Sequence, residues 1–338
     1  MAGAVIDVPL SVLDLAPVAA GASVGEALRH TTELARRTDE LGYHRFWVAE
    51  HHNMPAIASS APAVLIAHLA AHTSRIRLGS GGVMLPNHAP LVVAEQFGTL
   101  EALHPGRIDL GIGRAPGTDQ VTALALRRSM EGLSAEGFPQ ELAALMDFFD
   151  EDGSGRIMAS PGRGQRPAVW LLGSSGFSAQ LAGALGLPFS FAHHFSGQHT
   201  VPALALYRQS FRPSRWLERP YAMVAVNVVC ADTDERAEWL AGPAGLSFLR
   251  LRSGRPEPLA SPEEAAAYPY SDLEREFVAQ RREGQATGSP QTVRRQLGEL
   301  LARTGADELM LTTMVYDIAD RVRSFELVAE EVAGGLRR

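Results

Sequence analysis

Tyr43-His-Arg-Phe-Trp-Val-Ala-Glu50 runs directly into His51-His52-Asn53, and this stretch decides the fold. It reads as a strand whose C-terminal end carries chemically loaded residues. The same arrangement recurs along the chain. Strand-like segments read at about 5–12, 43–50, 75–83, 107–112, 168–172, 188–192, 221–230 and 307–313. Between them lie Ala/Leu/Arg/Glu-rich stretches of helical period, such as Val24–Leu41, 89–103 and 290–303. Sixteen alternating segments predict a parallel sheet, and eight strand–helix units predict a closed (β/α)8 barrel. In such a barrel the strand C-termini form the active face.

At 338 residues the chain fits one barrel domain over 1–338, with insertions. The net charge of −7 argues against a nucleic-acid partner. No run of about 18 uncharged apolar residues reads as a membrane span. Asp7, Pro9 and Asp14 interrupt the N-terminal apolar residues, so no secretory signal is expected and the expected location is the cytoplasm. All 31 basic residues are arginine, which excludes lysine Schiff-base enzymes, pyridoxal-phosphate enzymes and the P-loop signature. The single cysteine, Cys230, sits in an apolar strand-like run and is expected to be a buried small hydrophobe.

Two segments depart from a plain barrel. Residues 138–166 start helical and become Gly-, Ser- and Pro-rich, as an insertion after strand 4. Residues 252–288, rich in Pro, Glu and Ala, form a second insertion after strand 7. Segments of this length commonly serve as lids or binding loops.

The strand ends carry the chemistry. His51 and His52 are adjacent, so along an extended chain they point to opposite faces and make a poor chelating pair. A second adjacent pair, His193-His194, ends strand 6. A metal bridged across the mouth is one alternative, and loop histidines held by hydrogen bonds are another. A rim histidine is also well suited to acid–base work near neutral pH. No metal is expected.

Strand 3 ends in Gly79-Ser-Gly-Gly-Val-Met-Leu-Pro86. Mid-strand glycine points to a flat ligand lying on the backbone, to a bulge or strained peptide, or to a crowded barrel interior. Strand 4 gives Arg107-Ile-Asp-Leu-Gly-Ile-Gly-Arg-Ala-Pro-Gly117, whose G-x-G-x-x-x-G spacing fails as a dinucleotide fingerprint. Arg114 beside that turn suits a phosphate clamp, with a structural rim arginine as the alternative. Strand 5 runs into Leu171-Leu-Gly-Ser-Ser-Gly-Phe-Ser178 at the start of a helix. That is an anion site, or plain N-capping by Ser174 or Ser175. With Arg114 on the neighbouring strand, a bound phosphate accounts better for the cluster.

Together these stations resemble the bacterial-luciferase-like flavin monooxygenases. The matching pieces are 49–53 (AEHHN), 81–90 (GGVMLPNHAP), 94–96 (AEQ), 104–114 (HPGRIDLGIGR) and 173–175 (GSS). Later come 186–188 (GLP), 288–293 (GSPQTV) and 307–309 (DEL), so nearly the whole chain is covered.

The resemblance implies a two-component monooxygenase acting on a small organic substrate. A separate NAD(P)H:flavin reductase would supply reduced FMN, and O2 would react through a flavin C4a-hydroperoxide. Arg114, Ser175 and Ser178 match phosphate-contacting positions; Ser174 stands where bacterial luciferase has an acid. Gly81-Gly82 matches the place where the family often holds a non-proline cis peptide under the flavin ring. His51 matches the luciferase catalytic base, with Glu50, His193 and His194 as further candidates: Glu50 for catalysis, His193 for cofactor binding. Gly113 replaces the reactive cysteine of the luciferase alpha subunit, so light emission is not implied. The resemblance also favours a homodimer. The superfamily includes enzymes of the deazaflavin F420, and the lysine-free, Ala-, Gly- and Arg-rich composition hints at the GC-rich background in which F420 occurs. A flavin-binding protein without catalysis is a further alternative.

Overall fold

The computed structural model describes residues 6–115, 117–127, 135–152, 156–334 and 336. Its strands are β1 (Leu10–Asp14), β2 (Arg45–Val48), β3 (Arg77–Met84), β4 (Ile108–Gly113), β5 (Ala168–Gly173), β6 (Phe189–Phe191), β7 (Ala222–Cys230), β8 (Ala286–Gly288) and β9 (Glu308–Thr312). The helices of the first half are α1 (Val24–Leu41), α2 (Pro62–Ala70), α3 (Pro90–Leu103), α4 (Gln120–Arg127) and α5 (Phe138–Phe148). Those of the second half are α6 (Gly176–Leu185), α7 (His193–Ser196), α8 (Thr200–Ser210), α9 (Asp234–Arg252), α10 (Pro262–Ala267), α11 (Asp272–Arg282), α12 (Pro290–Thr304) and α13 (Ile318–Leu327).

All the ladders are parallel, and eight strands close in the order β1-β2-β3-β4-β5-β6-β7-β9. The fold is therefore the expected (β/α)8 barrel. The first strand begins later than the expected 5–12. Pro9 has no N–H to give to a ladder, and pairing with β9 starts at Leu10.

Local sequence sets the units. At α1, Ser23 accepts from the Glu26 amide while the Glu26 side chain accepts from the Ser23 amide, a reciprocal cap. Gly42 ends that helix at φ 91°, which turns the chain into β2 without the steric cost a side chain would carry.

Alternation along each strand separates two cores. On β2, Phe46 and Val48 pack outward under the helices, and Arg45, Trp47 and Ala49 point into the barrel. Leu13, Trp47, Trp170, Met223, Ala225 and Met310 fill the inside. Below them lies a buried charge network. Arg45 pairs with Asp109 at 2.8 Å and Glu308 at 3.0 Å, and Arg77 also reaches Asp109. The Trp47 indole and the Tyr221 hydroxyl donate into the same carboxylates. The barrel floor is thus closed by paired charge, and the open end is the other one. Cys230 is fully buried, and burial pushes its thiol up to about 12.

The two insertions play different parts. The 138–166 segment, of which 153–155 lie outside the described residues, packs its helix α5 and the Gly162 turn against the outer face of α3. The 252–288 segment is not a plain loop. It carries α10, α11 and the extra strand β8, which pairs with the upper half of β7 at Val228–Cys230. Together with α9 it stands over the barrel mouth.

Candidate active site

A cavity of about 410 Å3 opens at the C-terminal ends of the strands. Its walls are mainly apolar, with Leu13, Trp47, Met84, Leu172 and Met310 among them. The expected residues Gly81, Arg114, Ser174, Ser175, Ser178 and His51 all line it. The described residues of 138–166 do not, whereas α9, α11 and the stretch between them do.

The diglycine is set into the strand by contacts on both sides. A side chain at Gly81 would fall 2.6 Å from Leu13 Cδ1, and one at Gly82 would fall 2.7 Å from the Gly111 carbonyl oxygen. The Gly81–Gly82 peptide is cis. The crowded interior and the bare backbone facing the cavity are therefore both true of this site.

Arg114 follows β4 directly. Among the described residues its guanidinium has no hydrogen bond or ion pair; it lies 4.4 Å from the centre of the Phe177 ring. Phe177 is in the first turn of α6. Ser175 is the N-cap of that helix, yet its side chain makes no capping bond, so capping does not explain the serine. An unpaired guanidinium beside uncapped helix amides fits a phosphate group, through both hydrogen bonds and the helix dipole. The residues present thus suit a mononucleotide.

His51 and Glu50 part company. Alternation continues past β2, so His51 follows Trp47 and Ala49 toward the cavity and Glu50 turns outward. His51 donates through Nδ1 to the Gly117 carbonyl at 3.1 Å, which leaves Nε2 as the basic nitrogen. Burial holds this imidazole below the ordinary histidine value and so favours its neutral form. Glu50 is fully buried outside the cavity. It accepts from His88 Nε2 (2.9 Å), His52 Nε2 (3.0 Å), Asn87 Nδ2 (3.2 Å) and the Met84 amide (3.0 Å). Burial works to raise its carboxyl, but the hydrogen bonds from His88, His52 and Met84 outweigh it and hold it below the usual carboxylate range. Glu50 therefore ties the loop after β2 to the end of β3.

The second histidine pair divides the same way. His193, expected at the cofactor, is buried behind the rim between Thr200 Oγ1 (2.7 Å) and the Gly284 carbonyl (3.2 Å) and does not line the cavity. His194 does line it, and donates through Nδ1 to the Ala225 carbonyl at 3.1 Å. Burial pushes His194 down to about 4. Among the described residues no three His, Cys, Asp or Glu side chains converge as a metal set.

Sequence reasoning passed over Thr312 and Thr313 at the end of β9. Both line the cavity and are buried, and neither hydroxyl has a partner among the described residues. Nothing in the run Leu311-Thr-Thr-Met314 marks them out. It also passed over Arg281 and Phe195, which come from separate elements.

A parallel eight-stranded barrel with an arginine beside an uncapped helix start, a diglycine and a buried histidine at its mouth suits the class of flavin-type oxidoreductases. Comparison with known proteins agrees. The family model described as luciferase-like monooxygenase matches residues 8–308, and the chain belongs to that family. A luciferase-like monooxygenase of Escherichia coli (strain K12) is 49% identical over 97% of this chain and 98% of its own. The N-acetyl-S-alkylcysteine monooxygenase of Bacillus subtilis (strain 168) is 35% identical over 97% and 99%. The crystal structure of apo-MsnO8 superposes with a TM-score of 0.91 at 41% identity, covering 98% of this chain and 100% of that one. The same barrel is seen at lower identity in two further structures. One is the oxygenating constituent of 3,6-diketocamphane monooxygenase from Pseudomonas putida, in complex with FMN (TM-score 0.74, 20% identity, 98% and 99% covered). The other is an F420-dependent secondary alcohol dehydrogenase (0.65, 15%, 97% and 99%). The protein is thus an enzyme of the flavin-dependent monooxygenase class, and among the described residues no helix is long and apolar enough to cross a membrane.

Proposed function

We propose that this chain is an FMN-dependent monooxygenase that transfers one atom of O2 to a small organic substrate. The observation that carries the reading is the unpaired Arg114 beside the uncapped start of α6, in one cavity with Gly81 and His51. Arg114, the α6 amides and the hydroxyls of Ser174, Ser175 and Ser178 would hold the phosphate. Gly81, which lines the cavity, and its neighbour Gly82 would leave room for a flat ring. Reduced FMN, when bound, supplies the activation of O2. The apolar walls keep water from the reacting centre. His51 accepts or returns a proton at Nε2, and Glu50 acts as a positioning residue through the loop it fastens. His194, at the cavity wall, takes the place expected for His193.

Reduced FMN from a separate NAD(P)H:flavin reductase and assembly as a homodimer follow from the family resemblance. Sedimentation and a coupled assay with a generic reductase test them. Similarity to the N-acetyl-S-alkylcysteine monooxygenase makes N-acylated S-alkyl thioethers the first substrate class to assay.

The deciding experiment is anaerobic titration with FMN, reduced FMN and F420, followed by O2 and mass spectrometry. FMN binding and a mass gain of one oxygen atom support the reading; binding of F420 alone, with no oxygen incorporated, overturns it. Arg114→Gln should weaken FMN about 10- to 100-fold, since a charge-assisted hydrogen bond contributes about 1.5–3 kcal/mol. Fluorescence quenching measures it, and an unchanged Kd would remove the anion station from the argument.

A further inference from the structure

The cavity wall holds a second unpaired guanidinium, which the cofactor reading leaves unused. Arg281 lies in the last turn of α11 and lines the cavity. Its neighbours in charge are already matched. Arg282 pairs with Glu238, and Glu257, the acidic residue of this wall, pairs with Arg250 at 3.0 Å. Among the described residues Arg281 has no carboxylate partner. Burial, with no acid to oppose it, draws its guanidinium below the ordinary arginine value.

Arg281 is nonetheless fixed. Its guanidinium lies 4.2 Å from the centre of the Phe248 ring and 5.7 Å from that of Phe195. Phe248 stacks on Phe277 at 5.5 Å with the planes 7° apart, and Arg252 sits 4.9 Å from the Phe277 ring. A column of rings and cations thus runs Arg252–Phe277–Phe248–Arg281–Phe195 and joins α9 and α11 to α7. Aromatic contacts favour a guanidinium through its charge and leave its N–H edge for a planar acceptor. Ser247, on the same wall, has a hydroxyl without a partner among the described residues. His194 and His51 line the same cavity as Arg281.

We infer that Arg281 is a specificity-determining residue that binds a carboxylate on the substrate, so that the enzyme acts on apolar molecules ending in an acid group. A cation held half-buried without an acid is costly, and a bound anion offsets that cost. A carboxylate matches the planar fork of N–H donors. The apolar walls then take the rest of the molecule toward His51 and the diglycine. This deepens the monooxygenase reading and rests on it for the reaction, but the binding site can be tested without turnover.

The test is calorimetric titration of the full chain, with and without FMN, using a panel of acids and their primary amides. The panel contains straight-chain acids from hexanoate to dodecanoate, phenylalkanoates and N-acetyl-S-alkylcysteines. At least one acid should bind ten-fold or more tighter than its amide. That preference should vanish in Arg281→Gln, persist in part in Arg281→Lys and remain whole in Arg282→Gln, with FMN affinity unchanged in all three. The inference is overturned if no acid outbinds its amide, or if the preference survives in Arg281→Gln and disappears in Arg114→Gln. It also fails if Arg281→Gln weakens FMN as Arg114→Gln does, because Arg281 would then serve the cofactor phosphate. If wild-type protein bound no FMN, the flavin reading would fall while the acid preference still reported on Arg281.

Discussion

His51 and Glu50 show how much one residue of offset decides. Each is a titratable group at the end of β2, yet only His51 reaches the cavity, with Nε2 unpartnered among the described residues and burial favouring the neutral ring. His51→Ala should lower turnover by about 10²- to 10⁴-fold, the usual worth of a positioned proton-transfer group, with the FMN Kd unchanged. Steady-state rates beside fluorescence titrations check this, and equal loss of both would make His51 a binding residue. The pH profile carries the same assignment. Burial lowers the His51 pKa, so its basic form persists as pH falls. The acid limb should therefore lie below about 6.5, the free histidine value. A limb above that value would assign it to another group.

At the scale of the element, α6 begins with a serine that does not cap. An N-cap Ser→Ala change ordinarily costs about 1 kcal/mol. Because the Ser175 side chain makes no capping bond, Ser175→Ala should leave thermal stability unaltered, and should lower FMN affinity several-fold through one lost hydrogen bond. Melting temperature and flavin titration separate the two effects, and a lower melting temperature without a change in Kd would return the serine to a purely structural role. The short helix α7 carries a pH-dependent part of stability. His194 is pushed down to about 4 in the fold, against about 6.5 when unfolded, so the fold favours its neutral form. That contribution is complete above pH 6.5 and is lost as pH falls toward 4. Melting curves across this window should decline, and His194→Gln should flatten part of the slope.

For the whole molecule, the two ends of the barrel are separable. The floor is sealed by Arg45 with Asp109 and Glu308, at the opposite end of β2 and β3 from the diglycine rim. Arg45→Met strips a buried cation from two buried carboxylates and should cost about 3–5 kcal/mol. Chemical denaturation measures that loss, while the folded fraction should keep the wild-type FMN Kd. A parallel drop in affinity would mean that the floor and the rim are coupled. Among the described residues the segment from α9 to β8 lines the open end and the first insertion does not, so substrate selection is expected at the former while the latter braces α3.

Much of this was legible in the chain itself. Strand–helix alternation gave eight barrel units, because a parallel sheet needs both periods in turn. The glycine and serine clusters stood out because few backbones need them, and the matched motifs carried the family. Period-two alternation already separates His51 from Glu50 and His194 from His193. What it lacks is the knowledge of which face is the cavity, and only barrel closure decides that. Arg281 was illegible for a different reason. In sequence it is one arginine in Arg281-Arg282-Glu283, a charged helix end like any other. The distances that leave it unpaired beside Phe248 and Phe195 join residues 33 and 86 positions away, and such juxtapositions come only from tertiary packing.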